Sequence, residues 1–180
     1  MLEDLGARVF YSDEEAKRLL VDDPEARREI IEAFGTQSYR ENGLLDREYL
    51  AQNVFSDVHK LERINAIVHP RVRARFEAAV EQARNEGVPL MVQEAALIFE
   101  AGADRYLDAV AVVDAGRELR IERVQQRDGL SREQIGERMG HQLPPEELRQ
   151  RADFVIDNSG TLEETKRQVD TLFERLTSDV

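Results

Sequence analysis

The chain has 180 residues, a formal net charge of −12 and no cysteine, which allows one domain with a real core and excludes disulfides and thiolate metal sites. Such acidity repels polyanions and argues against binding to nucleic acid or to anionic membranes. No apolar run approaches the roughly 18 residues of a spanning helix and nothing reads as a secretory leader, so a cytoplasmic protein is expected.

Met1–Leu5 reads as the end of a helix, closed by Gly6 in the C-terminal capping position. Ala7–Tyr11 reads as a short strand, and Ser12-Asp13 leads into a helix over Glu14–Leu20. A second helix is expected from Pro24, capped by Asp23, to Phe34, where Gly35 stops it. Asn42-Gly43 marks a turn. From Asp46 to Glu86 the pattern is helical throughout: Leu50, Val54, Leu61, Ile64, Ile67 and Val68 recur at helical spacing. Two or three helices are expected there, one of them beginning at Pro70.

Val88–Glu100 is the longest apolar run, and with Leu107–Asp114 and Phe154–Asn158 it predicts strands buried on both faces, hence a parallel sheet covered by helices. Each run finishes in acidic or amide residues, and open α/β sheets carry their chemistry at the carboxyl ends of strands. Gly116–Arg127 reads as a helix. Ser131-Arg-Glu-Gln134 and Thr161-Leu-Glu-Glu164 are capping boxes that open two more.

Several clusters have the residue types for phosphate chemistry. Arg123 and Arg127 share a helix face just before Asp128-Gly129, within a segment that also holds Arg120, Arg132, Arg138, Arg149 and Arg151. Guanidinium forks clamp phosphate well, so a mobile lid over a polyphosphate is one reading; pairing with Glu118, Glu122, Glu133 and Glu137 on a solvated surface is the other. Asp13, between a strand and a helix, could accept a proton from a hydroxyl, hold a metal through water, or cap the helix. His69-Pro70-Arg71 would place a His and an Arg at a helix N-terminus, a candidate anion site, although a capping or core histidine is the plainer alternative. Asp157-Asn158-Ser159-Gly160 could hold a base edge or simply connect strand to helix. His59 and His141 show no zinc-ligand spacing.

In order and spacing, LGARVFYSDEEAK, NGLLDREYLAQNVFSD, INAIVHPRV, EAALIFEAGADRYLDAVAVV, RVQQRDGLSREQIGERMGHQLP and RADFVIDNSG together resemble the dephospho-CoA kinase family nearly end to end. The resemblance implies an α/β P-loop kinase-like fold over residues 1–180, with a helical CoA-binding subdomain at 24–86 and a lid at 117–150. It implies ATP-dependent phosphorylation of the ribose 3′-hydroxyl of dephospho-CoA, with Mg²⁺ accompanying ATP. It casts Asp13 as the base, Arg123 and Arg127 as catalytic lid residues, Arg138 and Asn158 as nucleotide-binding, and His69 and Arg71 as substrate-binding. Glu94, where relatives often have Asp-x-Pro-Leu-Leu, would reach Mg²⁺ through water. The family's opening strand and G-x-x-G-x-G-K-S/T loop have no counterpart here: Gly129, Gly136 and Gly140 lack a neighbouring Lys. The expectation is a fold missing its first central strand, roughly the first 20 residues, and a chain inactive as it stands. A non-catalytic CoA or nucleotide binder, or a kinase of the same fold acting on another nucleoside monophosphate, are the alternatives.

Overall fold

A computed structural model describes residues 1–54 and 57–178. The chain divides into two compact units, one formed by Met1–Arg8 with Ala96–Val180 and the other by Val9–Ala95. The expected helical segment 24–86 lies within the second unit, and the segment 117–150 within the first.

In the second unit, β1 (Arg8–Tyr11) pairs with β2 (Met91–Glu94), and four helices accompany them: α1 (Ser12–Asp22), α2 (Pro24–Phe34), α3 (Arg47–Asn53) and α4 (Val58–Asn85). Local signals set most boundaries. Asp23 accepts hydrogen bonds from the Glu25 and Ala26 amides at 2.9 Å each and Pro24 fills the first turn, so α2 begins there. Asp46 and Asp57 cap α3 and α4 in the same way. Leu19, Ala26, Ile30 and Val54 are fully buried, and Phe10 of β1 meets Phe76 of α4 edge-on with centroids 5.4 Å apart. Burial of Leu19, Ile30 and Val54 contributes about 1.5–3 kcal/mol each.

The 28-residue helix α4 corrects the expected break at Pro70, because it runs straight through that residue. An interior proline loses one backbone hydrogen bond and crowds the preceding turn, at a cost of about 3 kcal/mol. Ile64, Ile67 and Val68 before it, and Val72 and Phe76 after it, are all buried, and their combined burial outweighs that cost. The described break in the Asp46–Glu86 tract lies instead between α3 and α4.

The other unit holds β3 (Ala111–Asp114) and β4 (Phe154–Asp157), parallel and in register from Ala111–Phe154 to Asp114–Asp157. Its helices are α5 (Arg117–Asp128), α6 (Arg132–Gly140), α7 (Pro145–Arg151) and α8 (Leu162–Thr177). Both capping boxes form, at Ser131/Gln134 and Thr161/Glu164. The helix α8 lays Val169 and Leu172 on Ile156, with Leu2, Leu5, Phe154 and Leu176 packed around them. Gly6 adopts the left-handed conformation (φ 98°) and donates to the Glu3 carbonyl, ending the short 3-10 turn Glu3–Leu5 as its position predicts.

The parallel α/β class is therefore present, but the four strands form two two-stranded sheets, and no ladder joins β2 to β3 among the described residues. Nor are the strands buried on both faces. Val113 is register-paired with Ile156, so the two share a face; Ile156 lies under α8 at 5% exposure while Val113 is 59% exposed. Val169 and Leu172 of α8 cover Ile156 of β4.

Candidate active site

In the second unit the chemistry gathers where β1 and β2 end. Asp13 stands in the first turn of α1, but Tyr11 occupies the cap position and no side-chain cap hydrogen bond is made there. The Asp13 carboxylate is exposed, at the helix end where the backbone dipole favours negative charge. Beside it, partial burial, with the Asp13 and Glu14 charges next, pushes the Glu94 carboxyl above its ordinary range. Gln93 donates to the Ser12 hydroxyl at 3.0 Å, tying the end of β2 to the start of α1, while its buried Oε1 has no partner. Ser12 and Gln93 carried no motif in the sequence, because this bond joins residues 81 positions apart.

The carboxylates of Asp13 and Glu94 suit a hard divalent cation that also binds phosphate oxygens, the usual mode for Mg²⁺. Among the described residues, no group of three or more His, Asp or Glu is arranged to hold a metal by itself. The donor set thus fits an ion brought with a nucleotide.

His69 lies on the surface in the middle of α4, where desolvation of its ring by the surrounding chain lowers the imidazole below the ordinary range. With α4 continuous, it has no free helix N-terminus beside it, which removes the candidate anion site and the capping reading alike. Arg71 and Arg75 do share a face, and both are engaged: Arg71 donates to both Glu29 carboxylate oxygens (2.8 and 3.3 Å) and to the Ile67 carbonyl, with Asp23 at 3.8 Å, while Arg75 pairs with Glu15 at 3.3 Å.

In the first unit, β3 and β4 deliver Asp114 and Asn158 side by side: the Asn158 amide donates to the Asp114 carbonyl at 2.7 Å. Arg123 of α5 donates to the Asn158 carbonyl at 2.8 Å, so two residues singled out in the sequence meet directly. Arg149 of α7 adds a 2.7 Å ion pair to the Asp114 carboxylate, a contact across 35 residues that no local pattern announces. Arg127 and Arg138 converge on Asp128. Arg132 pairs with Glu118 at 2.6 Å, as the solvated-surface reading expected. The loop between α6 and α7 is fixed by Leu143, whose amide donates to Glu100 at 2.6 Å, and by Gln142, which donates to the Ala96 carbonyl. An open groove of about 1040 Å³ follows β4 and α8 and includes Ser159 and Gly160 of the turn read as either a base holder or a simple connector. Gly160 is close-packed there: a Cβ would run into the Glu164 carboxylate of the capping box.

Known structures give the class of protein. The chain is similar over 98% of its length to a Thermus thermophilus crystal structure, 88% of which it covers, at a TM-score of 0.80 and 35% identity. A Campylobacter jejuni dephospho-CoA kinase aligns with 99% of the chain and 89% of its own, at a TM-score of 0.70 and 26% identity. The fold is that of the P-loop kinases. The sequence model of the dephospho-CoA kinase family matches residues 1–164, and the chain belongs to that family. The dephospho-CoA kinases of Salinibacter ruber and Deinococcus radiodurans are 51% and 46% identical to it, each over 98% of the chain and over 88% and 84% of the relative. No helix among the described residues is long and apolar enough to cross a membrane.

Proposed function

We propose that this protein transfers the γ-phosphoryl group of ATP to the ribose 3′-hydroxyl of dephospho-CoA, the closing step of coenzyme A synthesis. The observation that carries this reading is Asp13: a carboxylate just beyond β1, free of capping duty, with the Glu94 carboxyl, held above its ordinary range, for a neighbour. In the reaction Asp13 accepts the proton of the attacking hydroxyl. Asp13 and Glu94 would hold Mg²⁺ through water; when bound, the ion supplies positive charge to the phosphate oxygens. Arg123, Arg127 and Arg138, within a lid over 117–150, neutralise the charge that develops on the transferred group. Asn158 stands at the adenine of ATP. The helical segment 24–86 takes the CoA moiety. His69 is exposed there and available to the substrate, whereas Arg71 reaches it only by leaving Glu29 and Asp23.

The test is ADP release in a coupled assay, with the strand and G-x-x-G-x-G-K-S/T loop of a relative joined ahead of Met1. Turnover with dephospho-CoA, and little with AMP or UMP, is the expected result. A preference for a monophosphate would move the protein to another kinase substrate. ATP and dephospho-CoA binding without turnover would make it a non-catalytic binder.

A further inference from the structure

We propose that Asp128 is a phosphate placeholder: it holds Arg127 and Arg138 together on one carboxylate and gives them up when a polyphosphate arrives. The inference rests on the kinase reading and adds to it a residue that sets how tightly the lid takes anions. Arg127 addresses Asp128 as it would a phosphate, with Nε and Nη2 donating side by side to Oδ1 and Oδ2 at 2.7 and 3.0 Å. Arg138, from a different helix, brings Nη1 to within 3.6 Å of the same Oδ2. Two cations are thus gathered around one anion, leaving a net positive charge. The guanidinium side chains are 73% and 65% exposed, whereas the Asp128 side chain is only 28% exposed, so a ligand reaches the cations first.

Helix stability does not account for the residue. Asp128 is the last residue of α5, where the backbone dipole disfavours a negative charge. The helix end is already closed by Gly129, in the left-handed conformation, whose amide donates to the Gln125 carbonyl. Hydrogen bonds from Arg127 hold the Asp128 carboxyl below its ordinary range, so it stays ionised and competes with phosphate at neutral pH. The exchange is reversible ion pairing: one carboxylate leaves the two guanidinium groups and phosphate oxygens take its place.

The 180-residue chain is titrated with inorganic tripolyphosphate by calorimetry at low salt. Asp128→Asn is expected to tighten binding about two- to tenfold, the size set by one or two exposed ion pairs that no longer compete. Asp128→Glu is expected to keep the parent affinity. The gain from Asp128→Asn is expected to vanish when Arg127→Ala and Arg138→Ala are present. Unchanged or weaker binding by Asp128→Asn overturns the proposal, as does a gain that survives loss of both arginines. If tripolyphosphate binding does not depend on Arg127 or Arg138 even in the parent, the lid reading itself fails and the placeholder falls with it.

Discussion

Arg71 is the substrate-binding candidate whose surroundings argue most strongly for a structural task, and Arg71→Met separates the two roles. Methionine keeps an apolar stem against α4 and removes the guanidinium. The guanidinium bonds to Glu29, with Asp23 nearby, tie α4 to α2, while its bond to the Ile67 carbonyl stays within α4. Hydrogen bonds to charged groups contribute about 1.5–3 kcal/mol when sheltered, and exposed pairs about 0–1. Side-chain exposures of 22% for Arg71, 38% for Glu29 and 26% for Asp23 put this cluster between those limits. The expected loss is therefore about 1–2 kcal/mol, or about 2–8 °C in melting temperature for a chain of this size. Thermal unfolding followed by circular dichroism measures it. Glu29→Gln in the same background is expected to show coupling of about 0.5 kcal/mol or more, because the two changes remove one interaction. A variant that melts with the parent but no longer binds dephospho-CoA would refute the ion-pair account and return Arg71 to the substrate.

Three further outcomes follow from the site. In the chimera with the added loop, Asp13→Asn is expected to slow transfer by about 10²–10⁴ while dephospho-CoA binding holds; near-parental turnover would remove Asp13 as the base. Because the Glu94 carboxyl is raised in the folded state, folding favours its protonated form, and stability falls as pH rises from the ordinary Glu range through the raised value. Glu94→Gln is therefore expected to melt above the parent at neutral pH and to lose that advantage below the ordinary Glu range, as a series of melts across pH would reveal. Thr161→Ala, which opens the α8 capping box, is expected to cost about 0.5–2 kcal/mol in chemical unfolding, and no loss would mean the box is frayed in solution.

What the sequence made legible was mostly local. Asp23-Pro24, Ser131/Gln134 and Thr161/Glu164 place helix starts because the cap and the amides it satisfies lie within a few residues. Gly6 is readable for the same reason. Pro70 misled because its cost is local while the burial that overrides it, from Ile64 to Phe76, is tertiary. Strand length misled too: Leu107–Asp114 is mostly apolar, yet only Ala111–Asp114 joins a ladder. The arginine-rich stretch shows the limit most clearly. Its two readings, lid and solvated surface, turn on partners that spacing does not reveal. Arg149 finds Asp114 and Arg123 finds the Asn158 carbonyl, each 35 residues away, while Arg132 finds Glu118 on the surface. The tie between Ser12 and Gln93 was invisible for the same reason.

The central claim is that this chain recognises dephospho-CoA as its phosphoryl acceptor. Titration of the 180-residue chain with dephospho-CoA and, separately, with AMP compares the two ligands independently of catalysis. The account expects saturable dephospho-CoA binding at least about tenfold tighter than AMP, a difference of about 1.4 kcal/mol. Equal affinity for the two ligands, or no binding of dephospho-CoA, would contradict it.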